Sequence, residues 1–240
     1  MIARGGAATY GEDVGILMLD THFPRVRGDI GNAKTFSFPV SYLTVRGASP
    51  ARVVKEGDPS LLAPFIEGAR ELERRGCRAI TTSCGFLALF QNALSAAVSI
   101  PVFTSSLLQI PLLGRICGAG GRIGVMTARA ASLTELHFAQ CGAADVPRAV
   151  AGMDGSPEFS KVFVEEQGPE ASLSMDFERV RAELSAAAEK LVAEWPDIRA
   201  VVLECTNMPP FRDAIQQACG KPVYDIVTLV EYIRSGLCLS

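Results

Sequence analysis

Apolar residues along the chain gather into short continuous runs that alternate with stretches in which they recur every three to four positions. Val14 to Leu19 is such a run, reaching Asp20 at its end, and it predicts a strand buried on both faces. Phe38 to Val45 alternates well enough for a second strand. Asp58-Pro59 opens a helix to about Arg75, with Leu61, Leu62, Phe65, Ile66, Ala69 and Leu72 on one face and Arg70, Glu71, Arg74 and Arg75 on the solvated side. A strand at Ala79 to Thr82, a helix over Leu87 to Ala97, a short strand at Pro101 to Phe103 and an apolar segment from Ser105 to Leu113 follow.

The second half restarts in the same way. Ile123 to Met126 reads as a strand with Thr127 at its end, then come a helix over Ser132 to Cys141, a loop through Pro157 and an irregular stretch to about Pro169. Phe177, Val180, Leu184, Ala188, Leu191 and Val192 mark an amphipathic helix from Met175 to Trp195, stopped by Pro196. Strands at Ala200 to Leu203 and Pro222 to Tyr224 flank a helix over Phe211 to Cys219, and the apolar segment Ile226 to Ile233 closes the chain.

One ungapped shift of 121 positions lays Arg78–Ile110 over Arg199–Glu231. It superposes Cys84 on Cys205, Phe90 on Phe211, Ala93 on Ala214, Pro101 on Pro222, Val102 on Val223 and Leu108 on Leu229. This internal duplication predicts an α/β fold of two pseudo-symmetric lobes, each a mostly parallel sheet flanked by helices. The lobes divide as 1–117 and 118–224, with the segment 225–240 a candidate to complete the first. Whether Ile226 to Ile233 crosses back is left open by the pattern. The glycine-rich stretch Gly114 to Gly121 precedes a strand instead of following one, so it reads as a hinge and not as a nucleotide loop.

Both cysteines of the repeat stand at strand ends, where open α/β sheets bind ligands, and at or just before a helix start, where a thiolate is favoured. Cys77, Cys117, Cys141, Cys219 and Cys238 read as small hydrophobes. The loop Asp20 to Asn32 lies at the same sheet edge. Its Gly28 and Gly31 would let backbone approach a ligand, and Asn32 is a candidate substrate-binding residue. His22 reads as a solvated loop histidine.

The 240 residues carry 23 basic and 26 acidic side chains, a net charge of -3, without basic runs, so the expected partner is a small molecule and not nucleic acid or a membrane. Seven cysteines, no leader pattern at Met1 to Tyr10 and no spanning apolar run predict free thiols in a reducing cytoplasm. With two histidines and no CxxC pair, a zinc site has no ligand set at the usual spacing.

Thr82-Ser83-Cys84-Gly85 and Leu203-Glu204-Cys205-Thr206-Asn207, on matching repeats, resemble the aspartate/glutamate/hydantoin racemase superfamily over most of the chain. The resemblance implies two doubly wound lobes with the active site in the cleft between them, and a cofactor-independent isomerase, a racemase or epimerase for an amino-acid-like or hydantoin-like substrate. One of Cys84 and Cys205 would remove the proton next to a carboxylate or amide carbonyl, and the other would return one on the opposite face. Ser83, Thr127, Thr206, Asn207 and the N–H groups near Gly85 would hold the substrate carboxylate. Gly85-Phe86 departs from the Asn-Thr usual in the amino-acid racemases. Glu204 is placed away from Cys205 by the alternation of a strand. Relatives with decarboxylase or maleate-isomerase chemistry, and a non-catalytic binder of small carboxylic acids, are the alternatives. A homo-oligomer is compatible with the pattern.

Overall fold

A computed structural model describes Gly6 and residues 10–118, 120–164 and 173–237. Cys238, Ala119 of the glycine-rich stretch and the chain around Pro169 lie outside the described residues.

Two four-stranded sheets, all of whose pairings are parallel, form the two halves. The first contains β1 (Val14–Leu19), β2 (Val40–Val45), β3 (Ala79–Thr82) and β4 (Val102–Phe103) in the order β2-β1-β3-β4. Its helices are α1 (Leu62–Arg74), α2 (Gln91–Ala97) and α3 (Ile110–Ile116). The second contains β5 (Arg122–Thr127), β6 (Arg148–Gly152), β7 (Ile198–Leu203) and β8 (Val223–Tyr224) in the order β6-β5-β7-β8. Its helices are α4 (Glu135–Gln140), α5 (Pro157–Phe163), α6 (Phe177–Glu194), α7 (Arg212–Cys219) and α8 (Ile226–Ser235). The two orders correspond strand for strand, as the duplication requires.

The central strands β1, β3 and most of β5 and β7 are buried, which is why they read as continuous apolar runs. β6 corrects the expected loop through Pro157: its five residues Arg148–Gly152 are at the sheet edge and only Ala149 is buried, so no apolar pattern announces them. The expected helix over Ser132 to Cys141 is a 3-10 turn at Ala130–Ser132 followed by α4, and the one over Leu87 to Ala97 begins as a 3-10 helix at Gly85–Phe90.

The two halves exchange helices. Ile226, Val227, Leu229 and Val230 of α8 are buried against Val14, Ile16, Met18, Ala79 and Phe103 of the first sheet. Ile110 and Leu113 of α3 are buried against Ile123, Val125, Ala200 and Val202 of the second. Asp225 caps α8, its Oδ1 accepting the Thr228 N–H at 2.8 Å, and the Asp225 carbonyl accepts from Gln109 Nε2 at 2.9 Å, so the starts of the exchanged helices are tied together. Ser106 Oγ donates to the Leu203 carbonyl at 2.6 Å, a further tie between the halves. The carboxyl ends of both sheets thereby face one cleft.

Candidate active site

The chain leaves β3 and β7 identically. The Ser83 N–H donates to the Leu17 carbonyl at 2.9 Å, and the Glu204 N–H donates to the Met126 carbonyl at 2.8 Å. Cys84 and Cys205 are the next residues in each case. The two turns touch: Thr206 Oγ donates to the Ser83 carbonyl at 2.5 Å. Cys84 caps the 3-10 helix Gly85–Phe90, and both thiols are buried, at 8% and 7% exposure, yet both line one cavity of about 390 Å3 counting its open mouth.

The loop after β1 closes the cavity from the side. Asp29, buried at 2% exposure, accepts from Asn207 Nδ2 at 3.0 Å, from Arg25 Nη1 at 2.6 Å and from the Gly31 N–H at 2.7 Å. Arg25 also donates to Thr21 Oγ at 2.9 Å and lies 4.6 Å from the centre of the Phe23 ring. Phe23 packs edge-on against Phe163, centroids 5.1 Å apart. With Phe86, Leu19, Pro50, Val54 and Ala128 these rings make most of the wall apolar. Arg25 is the cation in the lining, and no acidic side chain lines it among the described residues.

Burial dominates the electrostatics. It pushes the Cys84 thiol up to about 12, the charge of Glu204 adds to this, and the N–H groups of Phe86 and Leu87 and the charge of Arg25 oppose it. Cys205 is raised well above its ordinary value by burial and Glu204, with Cys84 and Asp29 adding, against the Asn207 N–H. Its Sγ lies 3.6 Å from Asn207 Oδ1, which accepts from the thiol. Glu204 itself is fully buried and burial raises it from 4.5 to about 7 against the donors Thr127 and Ala128. Both thiols are therefore protonated at neutral pH in this arrangement, and ionising one requires a positive charge nearby or the loss of a negative one.

Of the residues singled out in the sequence, Ser83, Cys84, Gly85, Cys205, Thr206 and Asn207 come together in the lining. Ser83 Oγ accepts from the Leu19 N–H at 2.8 Å, and the donors of Thr206 and Asn207 are engaged by Ser83 and Asp29. Thr127 lies behind the wall, donating to Glu204 Oε2 at 2.7 Å. Asn32 is outside the cavity: its Oδ1 accepts from the Lys34 N–H at 2.9 Å and its Nδ2 donates to the Arg25 carbonyl at 2.8 Å, so it shapes the loop. Gly28, at φ +104°, and Gly31 serve close approach to protein instead of ligand, the first facing Pro210 and the second the Arg25 side chain. His22 is exposed. Arg25, Asp29, Phe23 and Phe163 carry no motif. Glu204 escapes the strand rule because β7 ends at Leu203, so alternation no longer governs the direction of its side chain.

Among the described residues no helix is long and apolar enough to cross a membrane, and the six described cysteines are free thiols. The sequence is 32% identical to a dimethylsulfoniopropionate lyase of Durusdinium sp. clade D, over 93% of this chain and 74% of that protein. It is 30% identical to dimethylsulfoniopropionate lyase 7 of Emiliania huxleyi (strain CCMP1516), over 90% of this chain but 64% of that protein, so the chain spans less than two thirds of that relative. Unliganded arylmalonate decarboxylase has the same fold, with a TM-score of 0.57 at 15% identity over 95% of this chain and 93% of that one. The sequence pattern described as Asp/Glu/Hydantoin racemase matches residues 58–230, which include both cysteine turns, and the chain belongs to that family.

Proposed function

We propose that this chain is a cofactor-independent carbon–sulfur lyase that eliminates dimethyl sulfide from dimethylsulfoniopropionate or a close sulfonium carboxylate. The observation that carries this reading is the 32% identity to a protein of that name across 93% of the chain. The cavity supports it. A sulfonium ion donates no hydrogen bonds and favours aromatic faces, which Phe23, Phe86 and Phe163 supply. An α-ammonium group would call for a carboxylate partner, and the described lining residues supply none. In this reading Arg25, the cation of the lining, held there by Asp29 and Thr21, receives the substrate carboxylate, assisted by the Ser83 hydroxyl proton.

Cys84 serves as the base in this reading, since the N–H groups of Phe86 and Leu87 and the charge of Arg25 favour its anion, while Cys205 has the Asn207 N–H alone and the charge of Asp29 against it. A sulfonium in the cavity lowers the cost of that anion. The Cys84 thiolate takes the proton from the carbon beside the carboxylate. The C–H pair becomes the new C=C bond, and the C–S pair leaves with sulfur as neutral dimethyl sulfide, giving acrylate. Cys205, as a thiol, donates toward the carboxylate in this reading as enolate charge develops.

The family-based expectation of a racemase shares the first step and is the second reading, favoured by the presence of a thiol on each repeat. Gas chromatography of the headspace above enzyme and dimethylsulfoniopropionate, beside proton NMR in deuterated water of amino acids and 5-substituted hydantoins, separates the two. Dimethyl sulfide and acrylate in equal amounts are expected. Exchange and inversion of an amino acid or hydantoin without dimethyl sulfide release would overturn the lyase reading in favour of the racemase.

A further inference from the structure

Glu204 is buried, titratable and unused by the chemistry above. Its Oε2 accepts the Thr127 hydroxyl at 2.7 Å, but its Oε1 is buried without any hydrogen-bond partner. Oε1 fills the space a side chain at position 85 would need, for a Cβ on Gly85 would stand 2.3 Å from it. The partnerless oxygen thus faces the turn that carries Cys84, and the backbone behind it carries Cys205. A buried anionic oxygen without a donor is costly, and that cost disappears when the oxygen itself bears a proton. Cys84 meets the same difficulty from the other side, because a thiolate next to a carboxylate puts two anions into one water-poor cluster.

The surroundings offer little else to balance the charge. Thr127 and Ala128 are neutral donors, and the Cys141 thiol after α4 is raised by burial, with the charge of Glu204 adding to it. His137 on α4, with its ring 5.4 Å from that of Phe86, is shifted down by burial and stays neutral. Arg25, the cation that acts on Cys84, is already engaged by Asp29.

We propose that Glu204 is a positioning residue that shares a single negative charge with Cys84: as the S–H bond of Cys84 breaks, its electron pair stays on sulfur and the proton ends on Glu204 Oε1. The cluster then keeps one charge while the base is created. Elimination leaves a proton on Cys84, and Glu204 returns its own proton to solvent. The sum is one dimethyl sulfide, one acrylate and one proton per zwitterionic substrate. This inference rests on Cys84 being the base, but its test needs no turnover.

The test is the rate of Cys84 alkylation by iodoacetamide as a function of pH, read by peptide mass spectrometry in the full chain. In the wild type the rate should rise to a plateau whose midpoint is that of Glu204, about 7. In Glu204→Gln the plateau near neutrality should vanish, and the rate should climb about tenfold per pH unit into the range of the thiol itself. Glu204→Asp should restore the plateau. Thr127→Val, which removes a donor from the carboxylate, should move the wild-type midpoint upward. Superimposable profiles of the wild type and Glu204→Gln would overturn the proposal. Should Glu204→Gln fail to fold, an unmoved midpoint in Thr127→Val would overturn it equally. These outcomes are independent of whether the protein releases dimethyl sulfide.

Discussion

Gly85 and Glu204 occupy one space: a Cβ on Gly85 would lie 2.2 Å from the Glu204 carbonyl oxygen and 2.3 Å from its Oε1. The glycine that departs from the amino-acid racemase pattern therefore makes room for the buried acid of the other repeat. Gly85→Ala cannot be relieved by rotating a side chain, since one of the atoms met is backbone. It is expected to cost about 1–3 kcal/mol in urea unfolding and to lower turnover by shifting Cys84. Unchanged stability and turnover would show that the two turns yield freely.

The exchanged helices predict that the halves unfold together. Leu229→Ala in α8 removes a side chain buried on the first sheet and should cost about 2–5 kcal/mol. Trp195, the single tryptophan, lies at the end of α6 in the second half. The midpoint reported by its fluorescence should fall by the same denaturant increment as that of far-ultraviolet circular dichroism. Separate transitions would mean that the ties at Ser106 and Gln109 do not couple the halves.

Phe163 lies at the end of α5 and packs on Phe23 in the cavity wall. If the rings receive the sulfonium, Phe163→Ala should raise KM about tenfold, the equivalent of about 1.4 kcal/mol of cation–π contact, with a smaller change in kcat. Phe163→Tyr, which keeps the face, should preserve KM.

Glu204 also makes stability depend on pH. Its folded value, about 7, lies above the ordinary 4.5, so the folded state holds the proton more tightly than the unfolded chain does. The stability associated with that proton is fully present below 4.5 and is lost as pH rises through 7, on the order of 3 kcal/mol in all. Glu204→Gln should flatten the urea-unfolding free energy across this window. An undiminished decline in the variant would assign it to other groups.

Much of this architecture is legible in the chain. Continuous apolar runs locate β1, β3, β5 and β7, and the register of the duplication by itself pairs Cys84 with Cys205. What stays hidden is what periodicity does not encode. The apolar faces of α3 and α8 are equally ready to cover either sheet, and β6 is too exposed to stand out. The bond from Asn207 to Asp29 joins residues 178 positions apart in unrelated loops. Asn32 looks like a ligand donor because a polar side chain in a glycine-rich loop has the same composition whether it binds substrate or caps a turn.

The central claim is that Cys84 removes the proton next to the substrate carboxylate while Cys205 assists. The most direct measurement is dimethyl sulfide release from dimethylsulfoniopropionate by Cys84→Ser and Cys205→Ser beside the wild type. Cys84→Ser should lose about a thousandfold in kcat/KM, and Cys205→Ser should lose less. Release by Cys84→Ser at close to the wild-type rate would contradict the account.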